Sequence, residues 1–497
     1  MEYRGNFIDG EWAPCGEPDG EITRENPSRT GETVFQAPWC TSAVEEATKS
    51  ARLALPEWDR LGVEGRRPYL ERLSQAFDRC EDEIARQIAR EVGKPLWEAR
   101  GEAAALSAKI DIMSGEGMEQ VRSVSPEGLE GGSYRPRPLG VLGVLGPFNF
   151  PLHLPNGHIV PALLTGNTVV VKPSEIAPGC MQIYFECLES AGFPDGVVNM
   201  VHGPGEVGAA VAESDAVNGV LFTGSWETGM RIKEATSRHY WKQLALEMGG
   251  KNTSIVLDDA DIEQAVHQIA YAAYMTTGQR CSATSRVVVR KEIAVEFIDA
   301  FKAMTERVTT GDALDEEAFM GPLATKSAYE DFLAAQDDNE GSRLDPIVEG
   351  GDAGDDLDGY FVKPAVWLAN EVNATGSHQG RELFGPDVVI YVVDSDKAAA
   401  HVANATEFGL AMSVFTEDRE RFDEIGYDLK AGVLNMNRST CGASSRLPFG
   451  GVKKSGNGRP SALLAAQYCT YPQAQLVEPA GFDEEAAGEK PFSLLGE

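Results

Sequence analysis

Residues 141–175 read VLGVLGPFNFPLHLPNGHIVPALLTGNTVVVKPSE. Two short apolar runs, 141–145 and 168–171, flank a helix-compatible segment at 157–164, and this strand–helix–strand rhythm requires a crossover between parallel strands. A second unit follows, with 196–201 and 219–222 as buried strands and 205–213 as the helix between them. Continuous apolar runs of this length suit strands covered on both faces, so the sheet is expected to be parallel. Further short strands are expected at 253–257, 285–289, 388–393 and 432–436, between helical segments such as 262–276 and 293–309. Upstream, Leu70, Leu73, Phe77, Cys80, Ile84, Ile88 and Val92 recur at three- and four-residue steps, the mark of one buried helix face, and Gly93 and Pro95 end it. The fold class is α/β, with two α/β units in one chain.

Composition narrows the partners. The 497 residues carry 44 Lys plus Arg against 77 Asp plus Glu, a net charge of −33. With no basic cluster against that background, neither nucleic acid nor an anionic membrane surface is an expected partner. The acidic surface suits a well-solvated cytoplasmic protein, or a salt-rich interior where carboxylates hold hydration. No run approaches the roughly 18 apolar residues of a spanning helix, and the N-terminal residues hold no apolar signal core, so a cytoplasmic location is the expectation. The eight cysteines form no Cys-x-x-Cys pair, and most are expected to be reduced and buried. The acidic stretch EGGDAGDDLDG at 349–359 lacks the terminal bidentate Glu of a calcium loop and reads as a solvated turn. The seven histidines show no metal-ligand spacing, and no metal is assigned; His153 and His158 read as packing or pocket residues.

Several segments carry potential chemistry. Cys281 follows Gly278, Gln279 and Arg280 between a helix and a strand, where a neighbouring cation would ease ionisation of the thiol; the alternative is a small core cysteine. Glu247 is a lone carboxylate in the apolar and Gly-rich run LALEMGG, where burial would raise its pKa toward that of a general base; the alternative is an exposed Glu beside a flexible Gly pair. Asn149, fixed among Pro and Phe in GPFNFP, can donate to a developing oxyanion, or simply belong to a turn. No G-x-G-x-x-G follows the first strand, 141–145, where the usual dinucleotide fingerprint would stand. In its place Lys172 and Glu175 end a buried strand, with the carboxylate suited to ribose hydroxyls, and FTGSWETG at 222–229 joins a strand to a helix through a Gly-Ser turn able to hold a phosphate.

In order and spacing, GPFNFP (146–151), KPSE (172–175), FTGS (222–225), LEMGGK (246–251), GQRC (278–281), ELFGP (382–386) and PFGGVKKSG (448–456) resemble the aldehyde dehydrogenase superfamily over essentially the whole chain. Within it the chain looks most like the N-succinylglutamate 5-semialdehyde dehydrogenases of arginine catabolism. That narrower resemblance rests on AREVGKPLWEA (89–99), HLPNGHIVPALL (153–164), NRSTCGASS (437–445) and RPSALLAAQYCTYP (459–472). Cys441, Arg446 and the Lys453–Lys454 pair depart from the pattern in or beside the stretch that should line the substrate mouth.

The resemblance implies that Cys281 is the nucleophile, Glu247 the general base and Asn149 the oxyanion donor. It further implies that Glu382 and Phe384 hold the nicotinamide ribose and ring, that Lys172 and Glu175 hold the adenosine ribose, and that Gly224, Ser225 and Gly229 lie along the pyrophosphate. A carboxylate at Glu175 favours NAD over NADP. The implied reaction oxidises an aldehyde to a carboxylic acid through a thiohemiacetal and a thioester on Cys281. Arg438, Ser445 and Arg446 are the expected partners of the substrate's carboxylates. The implied architecture is a Rossmann-like cofactor domain (1–121 and 141–250), a catalytic α/β domain (251–445), and an oligomerisation arm and C-terminal segment (122–140 and 446–497). Its last residues, 479–497, read as a poorly ordered tail, and a homodimer or homotetramer is expected. Three rivals remain: another semialdehyde or broad-specificity aldehyde dehydrogenase, a redox-independent thiol esterase, and a binding protein that has kept the fold.

Overall fold

The computed structural model of the chain describes residues 1–340, 344–354, 357–371, 380–478 and 480. Two seven-stranded sheets organise it. In the first, the parallel strands run in the spatial order Gln243–Met248, Gly219–Gly224, Val141–Leu145, Thr168–Lys172 and Val198–Met200. Alternate residues feed cores on opposite faces: Leu142, Val144, Val169 and Val171 enter one, Val141, Leu145, Val170 and Val220 the other. Burial on both faces explains why these strands read as unbroken apolar runs. The intervening helices are His153–Leu164, Pro178–Ala191 and Gly205–Glu213.

The sheet is not parallel throughout. Asn6–Ile8 runs antiparallel to Val198–Met200, and Glu11–Ala13 antiparallel to Asn6–Ile8, closing one edge; at three residues each they are too short to show a period. The second sheet runs Leu344–Val348, Ala365–Ala369, Asp387–Val393, Thr284–Arg290, Asn252–Val256, Ala411–Phe415 and Val433–Met436, parallel except for its first strand. The chain passes from one sheet to the other through Gly249–Gly250. A long helix, Gly62–Val92, ends at Gly93 in the left-handed conformation, as the Gly-Pro signal requires.

Gly132–Pro138 pairs antiparallel with Thr470–Leu476 as a separate ribbon. Residues between 448 and 462 do not join that arm. Pro448–Phe449 pairs with Ser461–Ala462, Val452–Lys453 with Phe408–Gly409, and the Met248 N–H donates to the Ser455 carbonyl at 2.9 Å. This segment is held against the seam between the sheets because its backbone supplies hydrogen bonds to the exposed edge of Gln243–Met248.

Cys15 and Cys40 form a disulfide, with Cα atoms 5.9 Å apart. This corrects the expectation for those two residues: they meet only because the hairpin of Gly20–Asn26 and Arg29–Trp39 folds back, which no local spacing announces. The other six cysteines are free, four of them buried. In the acidic stretch, Gly351–Asp352 pairs with Val362–Lys363, while 355–356 lie outside the described residues, as does the proposed tail apart from residue 480. Among the described residues no helix is long and apolar enough to cross a membrane.

Candidate active site

In an open parallel sheet, ligands bind beyond the carboxyl ends of the strands where the strand order reverses. Here that point lies between Thr168–Lys172 and Gly219–Gly224, which flank Val141–Leu145 on opposite sides. Asn149, Glu175 and Ser225 all follow the carboxyl ends of these three strands. From the second sheet, Gly250, Cys281 and Glu382 precede the amino ends of theirs. All of these but Gly250 line one cavity of about 1080 Å³, together with Lys172, Gly224, Glu247, Gly249 and Phe384.

The loop carrying Cys281 is built under strain. Helix Ile262–Tyr274 gives way to Thr276 and Thr277, both with positive φ (52° and 54°), a costly conformation for a β-branched residue. Buried partners hold it. The Glu98 carboxylate accepts from the Thr276 N–H at 2.8 Å and from its hydroxyl. Thr277 Oγ1 donates to the Gly321 carbonyl at 2.8 Å, and the Gln279 side chain bonds both the Thr276 carbonyl (3.0 Å) and the Ala324 N–H (2.9 Å). At Gly278 a Cβ would lie 2.3 Å from the Gly385 backbone, so no larger residue fits that approach.

Cys281 itself is half-buried. Arg280 favours its ionisation only weakly, its guanidinium being paired with Glu98 at 2.5 Å and lying over the Phe150 ring at 4.9 Å. Burial pushes the thiol up, and Glu382, Cys441 and Glu247 add to the shift, outweighing Arg280.

Asn149, 4% exposed, donates one amide hydrogen to the Gln279 carbonyl at 2.9 Å. That bond ties it to the loop that carries Cys281 and leaves the second amide hydrogen able to donate into the cavity. Glu247 lies in the edge strand, buried, with its carboxyl held well above the usual carboxylate range by burial. Gly450 makes room for it: a Cβ there would sit 2.8 Å from Oε1. Burial likewise pushes Glu382 up to about 7, against the opposing Gly250 N–H (2.7 Å) and Lys251. Phe384 has positive φ (57°) and packs edge-on against Phe148, with centroids 5.9 Å apart.

The first-sheet end of the cavity suits a dinucleotide. Lys172 Nζ bonds Glu175 Oε2 at 2.8 Å. Burial raises the Glu175 carboxyl, but Lys172 outweighs it and holds the group below its ordinary value, so it stays an ionised acceptor for hydroxyls. Ser225 caps the helix Trp226–Ala235, its hydroxyl accepting from the Thr228 N–H, and that helix start offers free amides to a phosphate. Gly224 and Gly229 sit in close quarters, since a Cβ would lie 2.4 Å from the Phe222 ring and 2.4 Å from Met248 Sδ, respectively.

The expected carboxylate partners are not brought together. Arg438 and Arg446 are exposed and neither lines the cavity; Arg446 is tied to Glu116, with Nε 2.9 Å from Oε1. Ser445 turns inward, accepting from Lys109 Nζ at 3.4 Å. Lys109, which does line the cavity, was not expected. It falls on the buried face of helix Leu96–Ile112, three residues after Leu106, and that spacing was the available signal. His158 is locked in the core, Nδ1 to the Tyr468 hydroxyl (2.8 Å) and Nε2 to Thr223 Oγ1 (3.3 Å). Among the described residues no cluster of His, Cys, Asp and Glu is placed to hold a metal.

Comparison with known proteins agrees with this geometry. The model of the aldehyde dehydrogenase family matches residues 12–474. The chain is 38% identical to the N-succinylglutamate 5-semialdehyde dehydrogenases of Shigella flexneri and of Escherichia coli K12, over 95% of each chain. Among solved structures it resembles betaine aldehyde dehydrogenase from Staphylococcus aureus in complex with NAD+ (29% identity, TM-score 0.90, covering 95% of this chain and 94% of that one). It also resembles a putative aldehyde dehydrogenase from Burkholderia cenocepacia (32% identity, TM-score 0.90, covering 97% and 100%). The family match over nearly the whole chain and the identity to these enzymes show that the chain belongs to the aldehyde dehydrogenase family, enzymes that oxidise aldehydes with a nicotinamide cofactor.

Proposed function

We propose that the protein oxidises an acidic semialdehyde, N-succinylglutamate 5-semialdehyde before others, to the carboxylic acid, with NAD rather than NADP as acceptor. The observation that carries this reading is the single cavity joining Cys281, Glu247 and Asn149 to the cleft that ends at Glu175. The substrate assignment is supported by the 38% identity to enzymes of that name.

Cys281 Sγ attacks the aldehyde carbon. Once its proton has passed to water, the thiolate is a strong nucleophile, since nucleophilicity rises with thiol pKa and burial raises that of Cys281. The oxygen that gathers charge meets the free Asn149 amide hydrogen. A bound NAD supplies the acceptor for the hydride that leaves the former carbonyl carbon. Lys172 and Glu175 hold the adenosine ribose, the amides after Ser225 the pyrophosphate, and Glu382 and Phe384 the nicotinamide ribose and ring. Glu175, kept ionised by Lys172, accepts from a 2′-hydroxyl and repels a 2′-phosphate. Glu247 then takes a proton from the water that attacks the thioester, and the C–S bond breaks to release the carboxylic acid and return the Cys281 thiolate; the raised pKa of Glu247 makes it a stronger base than an exposed carboxylate. The ribbon of Gly132–Pro138 and Thr470–Leu476 is the proposed oligomerisation arm, and the open edge of Val433–Met436 is a surface it can extend in a neighbouring subunit.

The test is NADH formation at 340 nm with the succinylated semialdehyde beside glutamate and succinate semialdehydes and uncharged aldehydes, for the native enzyme and Cys281→Ala. A marked kcat/KM preference for the succinylated substrate, lost with Cys281, is expected. Preference for another aldehyde overturns the substrate, equal efficiency with NADP overturns the cofactor choice, and activity that survives C281A overturns the mechanism.

A further inference from the structure

We infer that Lys109 is the anion anchor of the substrate pocket, receiving a carboxylate carried by the aldehyde substrate away from its reacting carbon. The inference deepens the proposal above and rests on it.

Lys109 projects from the buried face of helix Leu96–Ile112 and is 6% exposed. Room for it is made across the helix interface by Gly157, where a Cβ would lie 3.2 Å from Cε and 3.3 Å from Nζ. Two other buried cations stand nearby, and both are paired: Lys94 Nζ lies 2.5 Å from Glu102 Oε2, and Arg280 Nη2 lies 2.5 Å from Glu98 Oε1. Among the described residues Lys109 has no carboxylate partner. Its one hydrogen bond is the long one to Ser445 Oγ at 3.4 Å. Burial alone lowers its pKa, to about 8, with no acidic group opposing.

A buried ammonium that retains two unused donors and faces a cavity is poised for an anion. His153 adds a second polar group: its Nδ1 is buried without a hydrogen-bond partner and its ring lines the same cavity. Burial first, then Lys109, Lys94 and Arg280, keep that imidazole neutral, so it can donate a hydrogen bond without adding charge. One cation, one neutral imidazole and the Ser445 hydroxyl match a singly charged, planar carboxylate better than a phosphate dianion. The cavity that holds Lys109 also holds Cys281, so one acidic aldehyde can reach both.

The experiment compares the native enzyme with Lys109→Met and Lys109→Arg. Steady-state NADH formation is measured with N-succinylglutamate 5-semialdehyde and with butanal. In K109M the ratio of kcat/KM values, acidic over uncharged, is expected to fall roughly 10- to 150-fold, mostly through KM, as the loss of a charge-assisted hydrogen bond predicts. K109R is expected to recover part of it. Equal losses on both substrates overturn the anchor while leaving the aldehyde oxidation intact. Should K109M fail to fold, Lys109→Gln carries the same comparison.

A second readout does not depend on turnover. Glutarate is expected to slow alkylation of Cys281 by iodoacetamide in the native enzyme and to lose that effect in the Lys109 variant. If the native enzyme oxidises only uncharged aldehydes, the proposed substrate fails, and glutarate protection that depends on Lys109 still supports the anchor. Protection that is absent, or unchanged in the variant, overturns it.

Discussion

Glu98→Gln tests whether the nucleophile is aimed by a buried acid that never touches substrate. The carboxylate accepts from Arg280 at 2.5 Å, the Thr276 N–H at 2.8 Å and the Thr276 hydroxyl, with side chains 5% (Glu98) and 11% (Arg280) exposed. Gln keeps the volume but removes the charge, leaving Arg280 buried beside a neutral amide. Breaking a buried pair costs about 3–5 kcal/mol. Arg280 retains Thr276 Oγ1 at 2.9 Å and the Phe150 ring, which favours the lower figure, near 3 kcal/mol, or about 3 °C in Tm for a unit of this size.

The larger effect should be on rate. Thr276 and Thr277 at positive φ store about 1–3 kcal/mol each, and Glu98 holds the first of them. Freed, the loop relaxes, and a 1 Å shift of Cys281 costs about 100-fold in kcat, with little change in KM. Burial raises the Glu98 carboxyl, but Arg280, Lys94 and the Thr276 hydroxyl together bring it below its ordinary value. Its stabilisation is therefore fully present above the unfolded value of about 4.3 and is lost only as pH falls through the lower folded one, so the deficit should persist unchanged from pH 6 to 9. The assay pairs steady-state kinetics on one aldehyde with thermal melts at each pH. A normal kcat beside a lowered Tm would show Glu98 to be structural only; a normal value of both would refute the reasoning outright.

Glu247→Gln should give one equivalent of NADH per site and then turn over about 100-fold or more slowly, because hydride transfer precedes the step that needs a base; an intact-mass measurement should show the acyl-enzyme, and an unchanged steady state would remove Glu247 from that step. Glu175→Gln should shift the kcat/KM ratio of NAD over NADP toward NADP by about tenfold, read directly from initial rates; an unaltered ratio would place the selectivity elsewhere. Gly229→Ala brings a Cβ to 2.4 Å from Met248 Sδ. As Met can move, the cost should sit near the low end of overpacking, about 1 kcal/mol, seen as a higher KM for NAD; no change in KM or Tm would mean that helix Trp226–Ala235 is free to shift.

The βαβ rhythm of 141–175 was legible because strands covered on both faces must be apolar throughout, and Lys172, Glu175 and Ser225 were legible because chain that leaves such a strand turns polar at once. Cys281 and Glu247 showed as isolated reactive side chains in otherwise bland runs. What hid was tertiary. Arg280 beside Cys281 in sequence points to Glu98, which lies on a helix 182 residues away, so its pull on the thiol is weaker than adjacency suggests and burial outweighs it. Lys109 looked like any lysine on a helix, since sequence records the helix but not the Gly157 gap opposite it. The Cys15–Cys40 bridge and the three-residue edge strands likewise depend on neighbours that only the folded chain supplies.

The first sheet gives the cleft its carboxyl ends, the second its amino ends, and the chain crosses between them at Gly249–Gly250. On the proposed roles, cofactor choice at Glu175 and bond-making at Cys281 therefore rest on separate scaffolds that meet at a seam. Such a division lets a lineage retune one without unsettling the other: cofactor preference can drift by changes after Thr168–Lys172 while the thiol chemistry is inherited intact. The selective burden falls instead on the seam, where Glu247, Glu382 and the two glycines must satisfy both halves at once.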